Sequence, residues 1–224
     1  MMIKRVRYEA IRASMQCAIG CLLMLCALVA PAQSAPAPSA ATSSKTVLVM
    51  GDSLSAGYGM AAEQGWVGLL EQRLQREAPG WRVVNGSISG ETSAGGASRI
   101  VQAVVRERPA VVVIALGAND GLRGLPLAEA RRNLARMIGA SQHVGAQVLL
   151  VGMRMPPNLG QRYTRAFADA FDSLAQEKSV AYVPFLLEGV GGVAGMMQAD
   201  GIHPTAEAQS QLLETVWPAL EPLL

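Results

Sequence analysis

Beyond residue 30 the chain has no cysteine; Cys17, Cys21 and Cys26 are its only three. That excludes a disulfide framework, a thiolate nucleophile and a cysteine-ligated metal from everything after the first 30 residues. Histidine is almost as scarce, with His143 and His203 alone. Without clusters of His and Asp, a metal-assisted or two-metal hydrolytic site is disfavoured, and no cofactor is expected. Aromatic residues make up only 4% of a chain that is 50% hydrophobic, so the core must be built from Val, Leu, Ala, Ile and Met. A strong charge of either sign is also missing. The formal net charge is +2, and the first twelve residues alone carry +3 (Lys4, Arg5, Arg7 and Arg12 against Glu9), leaving −1 for the rest. A near-neutral body without a basic stripe argues against nucleic acid as a partner. No internal repeat is visible.

What the chain does have begins with a leader. Basic residues 1–12 precede an apolar run, 13–30, and then small residues and prolines. This is the three-part layout of a bacterial secretory signal peptide over residues 1–32, cleaved near Ala32, which implies a periplasmic or secreted protein. The alternative is an uncleaved membrane anchor, in which case the membrane is a partner only through this leader. Residues 33–44 are rich in Ala, Ser, Thr and Pro and read as a flexible linker.

From residue 45 to 224, short apolar strands alternate with helical patterns in one domain. Strands are expected at Val47–Met50, Arg82–Asn85, Ala110–Leu116, Gln147–Val151 and Val180–Val183. Helices are expected between them, with Pro126 and Pro204 each at a helix start. This alternation implies βαβ units with right-handed crossovers. The expected fold is a three-layer α/β/α, flavodoxin-like one, with a five-stranded parallel sheet in the order 2-1-3-4-5.

Four strand ends then fall on one edge of that sheet. They carry Gly51-Asp52-Ser53-Leu54, the glycine-rich stretch Asn85–Thr92, Gly117-Ala118-Asn119-Asp120-Gly121 and Asp200-Gly201-Ile202-His203-Pro204. Acyl transfer by a serine needs a base, a carboxylate to orient it and donors for the oxyanion. Ser53, His203 and Asp200 are candidates for the first three roles, and Gly90 and Asn119 are candidate donors. Each has a plainer reading: Ser53 as a helix cap, His203 as a helix-entry residue, Gly90 as a turn, Asn119 as a cap. Asp52 and Asp120 are expected to anchor their loops through backbone hydrogen bonds. His143 is expected at a helix end, solvated or capping.

The four blocks together resemble those of the SGNH, or GDSL, hydrolase superfamily. Gly-Asp-Ser-Leu-Ser-Ala-Gly-Tyr-Gly, Ser-Ile-Ser-Gly-Glu-Thr-Ser, Asn-Asp-Gly-Leu-Arg-Gly and Asp-Gly-Ile-His-Pro are most similar to the bacterial thioesterase I/lysophospholipase L1/arylesterase group. The resemblance covers about residues 45–224. It implies a serine esterase acting through an acyl-enzyme intermediate on aryl esters, short-to-medium acyl esters, acyl-CoA and lysophospholipids. Ser53 would be the nucleophile, His203 the base and Asp200 its orienting acid. The backbone of Ser53 and Gly90 and the side chain of Asn119 would form the oxyanion hole. The resemblance also implies a mobile loop at Gly121–Leu125 and a groove wall at Arg154-Met155-Pro156. Leu122, Leu125, Met155 and Pro156 are thus the expected substrate contacts, with ordinary core packing as the other reading. Two rival functions share the pattern: a carbohydrate O-deacetylase of the same superfamily, and a non-catalytic acyl- or lipid-binding protein. The glycine-rich run Gly189–Gly195 and the doubled proline Pro156-Pro157 depart from the group's pattern, and both bear on substrate shape.

Overall fold

Three strands carry the densest apolar runs after the leader and form the middle of a single sheet. A computed structural model describes residues 44–224; the leader expected at 1–32 and all but the last linker residue lie outside the described residues. Strand β1 is Lys45–Gly51, β2 Trp81–Asn85, β3 Val111–Ala115, β4 Gln147–Val151 and β5 Ala181–Val183. They pair in parallel in the order β2-β1-β3-β4-β5, the order expected for a flavodoxin-like sheet. Register is tight along the centre, with Leu48 opposite Val112 and Ile114 opposite Leu150. Val47–Met50, Val111–Ile114 and Val148–Val151 are all buried. A parallel strand covered on both faces has no polar side to display, so it is written as an uninterrupted apolar run.

The helices between the strands cover the two faces. They are α1 (Ser53–Ala56), α2 (Trp66–Glu77), α3 (Ser93–Glu107), α4 (Ala118–Leu122), α5 (Leu127–His143), α6 (Gln161–Lys178) and α7 (Gln209–Leu220). His143 is the exposed last residue of α5, and Pro126 lies one residue before it begins.

Pro204 does not open a helix, and α7 starts five residues later. Instead Pro204 pairs with Met197 in an isolated antiparallel bridge. The amide of Gln198 donates to the carbonyl of His203 at 2.7 Å, and that of Thr205 to Met196 at 2.9 Å. Residues 196–205 thus form a closed, hairpin-like loop with Asp200 and Gly201 near its tip. Two further elements have no sequence signal of their own. Helices of four and five residues, α1 and α4, are too short to show a 3.6-residue period. Both stand at the carboxyl edge of the sheet, on β1 and β3.

Candidate active site

The end of β1 is shaped by contact. A Cβ added to Gly51 would lie 2.6 Å from the Ser55 side chain and 2.9 Å from Ser87 Oγ. Only glycine lets the strand turn so closely into α1. Buried Asp52 caps that helix, its Oδ1 accepting the Leu54 amide at 3.1 Å. Ser53, the next residue, is the first of α1.

The hairpin loop from the far end of the chain meets Ser53 there. His203 Nε2 lies 2.9 Å from Ser53 Oγ, across 150 residues of sequence. On the other side of the imidazole, Nδ1 lies 2.7 Å from Asp200 Oδ2. The second oxygen of Asp200 accepts the backbone amides of Ile202 and His203 at 2.9 and 3.0 Å. These bonds, led by those from His203, hold the Asp200 carboxyl down at about 2, so it stays ionised near neutrality. The ring of Tyr58 stacks on the imidazole, with centroids 4.3 Å apart. The geometry is that of a hydroxyl whose proton passes to a base already oriented by a carboxylate.

Gly90 follows β2 with φ +76°, a conformation that disfavours any side chain. Among the described residues its N–H donates to no other group, and its carbonyl accepts from Arg123 at 2.9 Å. The next residue fixes this loop. The Glu91 carboxylate is gripped by both Nε (2.7 Å) and a terminal nitrogen of Arg99. Asn119, in α4, donates its side-chain amide to the Glu91 carbonyl at 3.0 Å and to Asp52 Oδ2 at 3.3 Å. Asp120 faces away and accepts the Ser93 amide at 2.8 Å, tying α4 to the start of α3. Asp52 and Asp120 therefore anchor backbone as expected, and Asp52 also touches a candidate donor. Burial pushes the Asp52 carboxyl up to about 6 against the lowering influence of Leu54, His203 and Asn119.

A groove of about 480 Å³ opens over Ser53 and His203. Leu122, Met155 and Pro156 line it, as the sequence suggests, with Met153 and Arg154. Leu125 does not; it is 39% exposed beyond the groove wall. Nor is the whole of Gly121–Leu125 an exposed loop. Gly121 is buried within α4 beneath Met155 and Phe167, Leu122 is that helix's exposed last residue, and the turn starts at Arg123. Phe185, Leu187, Met197 and Ile202, none of them marked by a sequence signal, complete the apolar lining. They come from the irregular stretch after β5, where no periodicity points to a face. Glu91 and Arg99 were equally silent, although Glu91 adjoins a candidate glycine. Among the described residues no group of three or more His, Cys, Asp or Glu could hold a metal ion.

Comparison with known proteins matches residues 49–210 to the model of the GDSL-like lipase/acylhydrolase family. The chain is 55% identical over 180 residues to an esterase, TesA, of Pseudomonas aeruginosa, covering 80% of this chain and 90% of that one. It is 38% identical over 184 residues to the thioesterase 1/protease 1/lysophospholipase L1 of Escherichia coli K12, covering 82% and 87%. A crystal structure of TesA superposes with a TM-score of 0.79 at 55% identity, covering 80% of this chain and 100% of that one.

Proposed function

The chain belongs to the GDSL-like lipase/acylhydrolase family and is a carboxylic ester hydrolase, and we propose that Ser53, His203 and Asp200 carry out its reaction through an acyl-enzyme. The observation that carries this reading is the unbroken contact from Ser53 Oγ through the imidazole to Asp200 at the mouth of an apolar groove.

Ser53 Oγ attacks the ester carbonyl while its proton passes to His203 Nε2. The carbonyl oxygen becomes an oxyanion, held by the N–H groups of Ser53 and Gly90 and by the Asn119 amide, which gives up its longer, 3.3 Å bond to Asp52 to donate to it. When the tetrahedral centre collapses, the bond to the alcohol or thiol breaks. The leaving group takes the proton from His203, and the acyl group stays on Ser53. A water molecule, deprotonated by the same imidazole, repeats the sequence and releases the acid. Asp200, ionised throughout, keeps Nδ1 protonated and the ring aimed. Loss of one oxyanion donor costs roughly 3–4 kcal/mol in the transition state.

The substrate class follows from the groove. Away from the catalytic residues and Arg154, its wall is built mainly of Leu, Met, Pro, Phe and Ile side chains and glycines, which suits an acyl chain and offers a sugar few hydrogen-bonding partners. Aryl esters, short-to-medium acyl esters, acyl-CoA and lysophospholipids therefore fit better than an acetylated glycan. Residues 1–32 read as a removable leader and support a periplasmic or secreted enzyme. Among the described residues no helix is long and apolar enough to cross a membrane.

The test is hydrolysis of p-nitrophenyl acetate and butyrate with labelling by a fluorophosphonate. Ser53→Ala should lose kcat by roughly 10⁴- to 10⁶-fold and all labelling. Wild-type turnover or labelling in that variant overturns the assignment, and absence of both in the unaltered protein would favour a binding protein instead.

A further inference from the structure

His203 is held by more than Asp200. Its loop and the segment after Ser53 meet through one side chain, Gln198. Gln198 Nε2 donates to the Tyr58 carbonyl and to the Pro204 carbonyl, both at 2.9 Å. The main chain of the same residue donates to the His203 carbonyl at 2.7 Å and accepts from Gly201 at 2.9 Å. Gln198 thus touches the backbone on both sides of the imidazole and the residue whose ring lies on it. Its neighbour Gly59 is fitted to it: a Cβ there would sit 2.7 Å from Gln198 Oε1.

We propose that Gln198 is the positioning residue that sets the distance between Ser53 and His203. This rests on the reading of His203 as the base. Among the described residues, the only direct hydrogen bond between those two segments at the catalytic pair is the one from Ser53 to His203, which must be remade during turnover. An imidazole that has taken the proton from Ser53 no longer has that bond in its resting form. The two carbonyls on one primary amide supply a link that the chemistry does not consume. Both protons of Nε2 are used, so releasing either carbonyl gives up a direct link between the two segments in exchange for a bond to water. Tyr58 is carried with the link, so its ring stays on the face of the imidazole as positive charge develops there.

A double-mutant cycle on p-nitrophenyl butyrate tests this, with Gln198→Ala, His203→Ala and the pair. Gln198→Ala should lower kcat on the order of tenfold to hundredfold, with KM within about twofold of wild type. In the His203→Ala background the same change should cost less than about twofold, since a misplaced base no longer matters. Equal fractional losses in both backgrounds, or a loss confined to KM, overturn the proposal and leave His203 untouched. Wild-type activity in His203→Ala would instead overturn the reading on which it rests. If Gln198→Ala melts below the assay temperature, Gln198→Glu takes its place in the cycle. That variant keeps the volume but sets an acceptor against two carbonyls, and the same outcomes decide.

Discussion

Asp52 is the residue that departs furthest from its surroundings. It is a carboxyl 2% exposed, beside Ser53, with two donors from protein and a partial counter-charge from His203. In the unfolded chain it ionises near 3.8, and in the fold only near 6. Between those values the native state binds the extra proton, so stability falls as pH rises through that window and levels off above it. Two pKa units correspond to about 3 kcal/mol as an upper bound. Asp52→Asn has no such proton to lose. The stability of the variant relative to wild type should therefore rise by up to about 3 kcal/mol from pH 4 to pH 7. Urea unfolding at the two pH values measures this, and parallel curves would refute it. The same change turns a donor towards the Asn119 amide, so kcat should fall while KM holds. Asp200 shows the opposite sign. Its lowered carboxyl adds stability that is complete above 3.8 and lost only as pH falls towards 2. At this scale the sequence was informative about chemistry and mute about support. Ser53 and Asn119 are marked by residue type at a strand end, and His203 as one of the chain's two histidines, three residues after an aspartate. Gln198, Arg99 and Glu91 are ordinary polar residues, and only the fold shows which carbonyl or carboxylate each one meets.

The helices show how packing overrides propensity. Glycine within a helix costs about 1 kcal/mol relative to alanine, yet α3 begins Ser93-Ala94-Gly95-Gly96. A Cβ on Gly96 would lie 2.4 Å from Leu116 and 3.0 Å from Met137, so the missing side chain lets α3 close on the end of β3 and on α5. Gly139 in α5 has nothing within 4 Å and no such reason. Gly96→Val should therefore destabilise by about 1–3 kcal/mol through overpacking. Gly139→Ala should stabilise by about 0.4–1 kcal/mol, mostly through the unfolded state. Thermal melts of the two variants decide, and a shift of the same sign in both would sink the distinction. Long elements were legible because burial imposes a period: 3.6 on α5 and α6, an unbroken run on β1, β3 and β4. The start of α7 was misplaced because Pro204, a good first helical residue, is held by Met197 and Gln198 in the loop that carries His203. There the requirements of the site outweigh the local preference.

For the whole molecule, the edge of the sheet matters more than any one element. Parallel topology brings residues 53, 90 and 119 together because each follows a strand in the same direction, and the loop after β5 carries His203 back to the same edge. That is why the fold and the site could be read together from strand ends, whereas the groove could not. Its lining depends on how the irregular chain after β5 folds back. The first strand begins at Lys45, whose ammonium lies 4.9 Å from the centre of the Trp81 ring. Its Nζ also reaches the carbonyl of Leu224 at 3.5 Å. Every residue assigned to the reaction, and every support named for it, lies after that point. If residues 1–32 are a leader and 33–44 a linker, neither contributes to the folded enzyme. Residues 45–224 expressed alone should then match the protein beginning at Gln33 in kcat/KM for p-nitrophenyl butyrate within about twofold and in Tm within about 2 °C, since surface changes of this kind rarely exceed 0.5 kcal/mol. Residues 1–44 fused to a reporter active only outside the cytoplasm should in turn carry it across the inner membrane. A truncated enzyme that melts well below the longer one would mean that the linker packs on the body and is part of the domain.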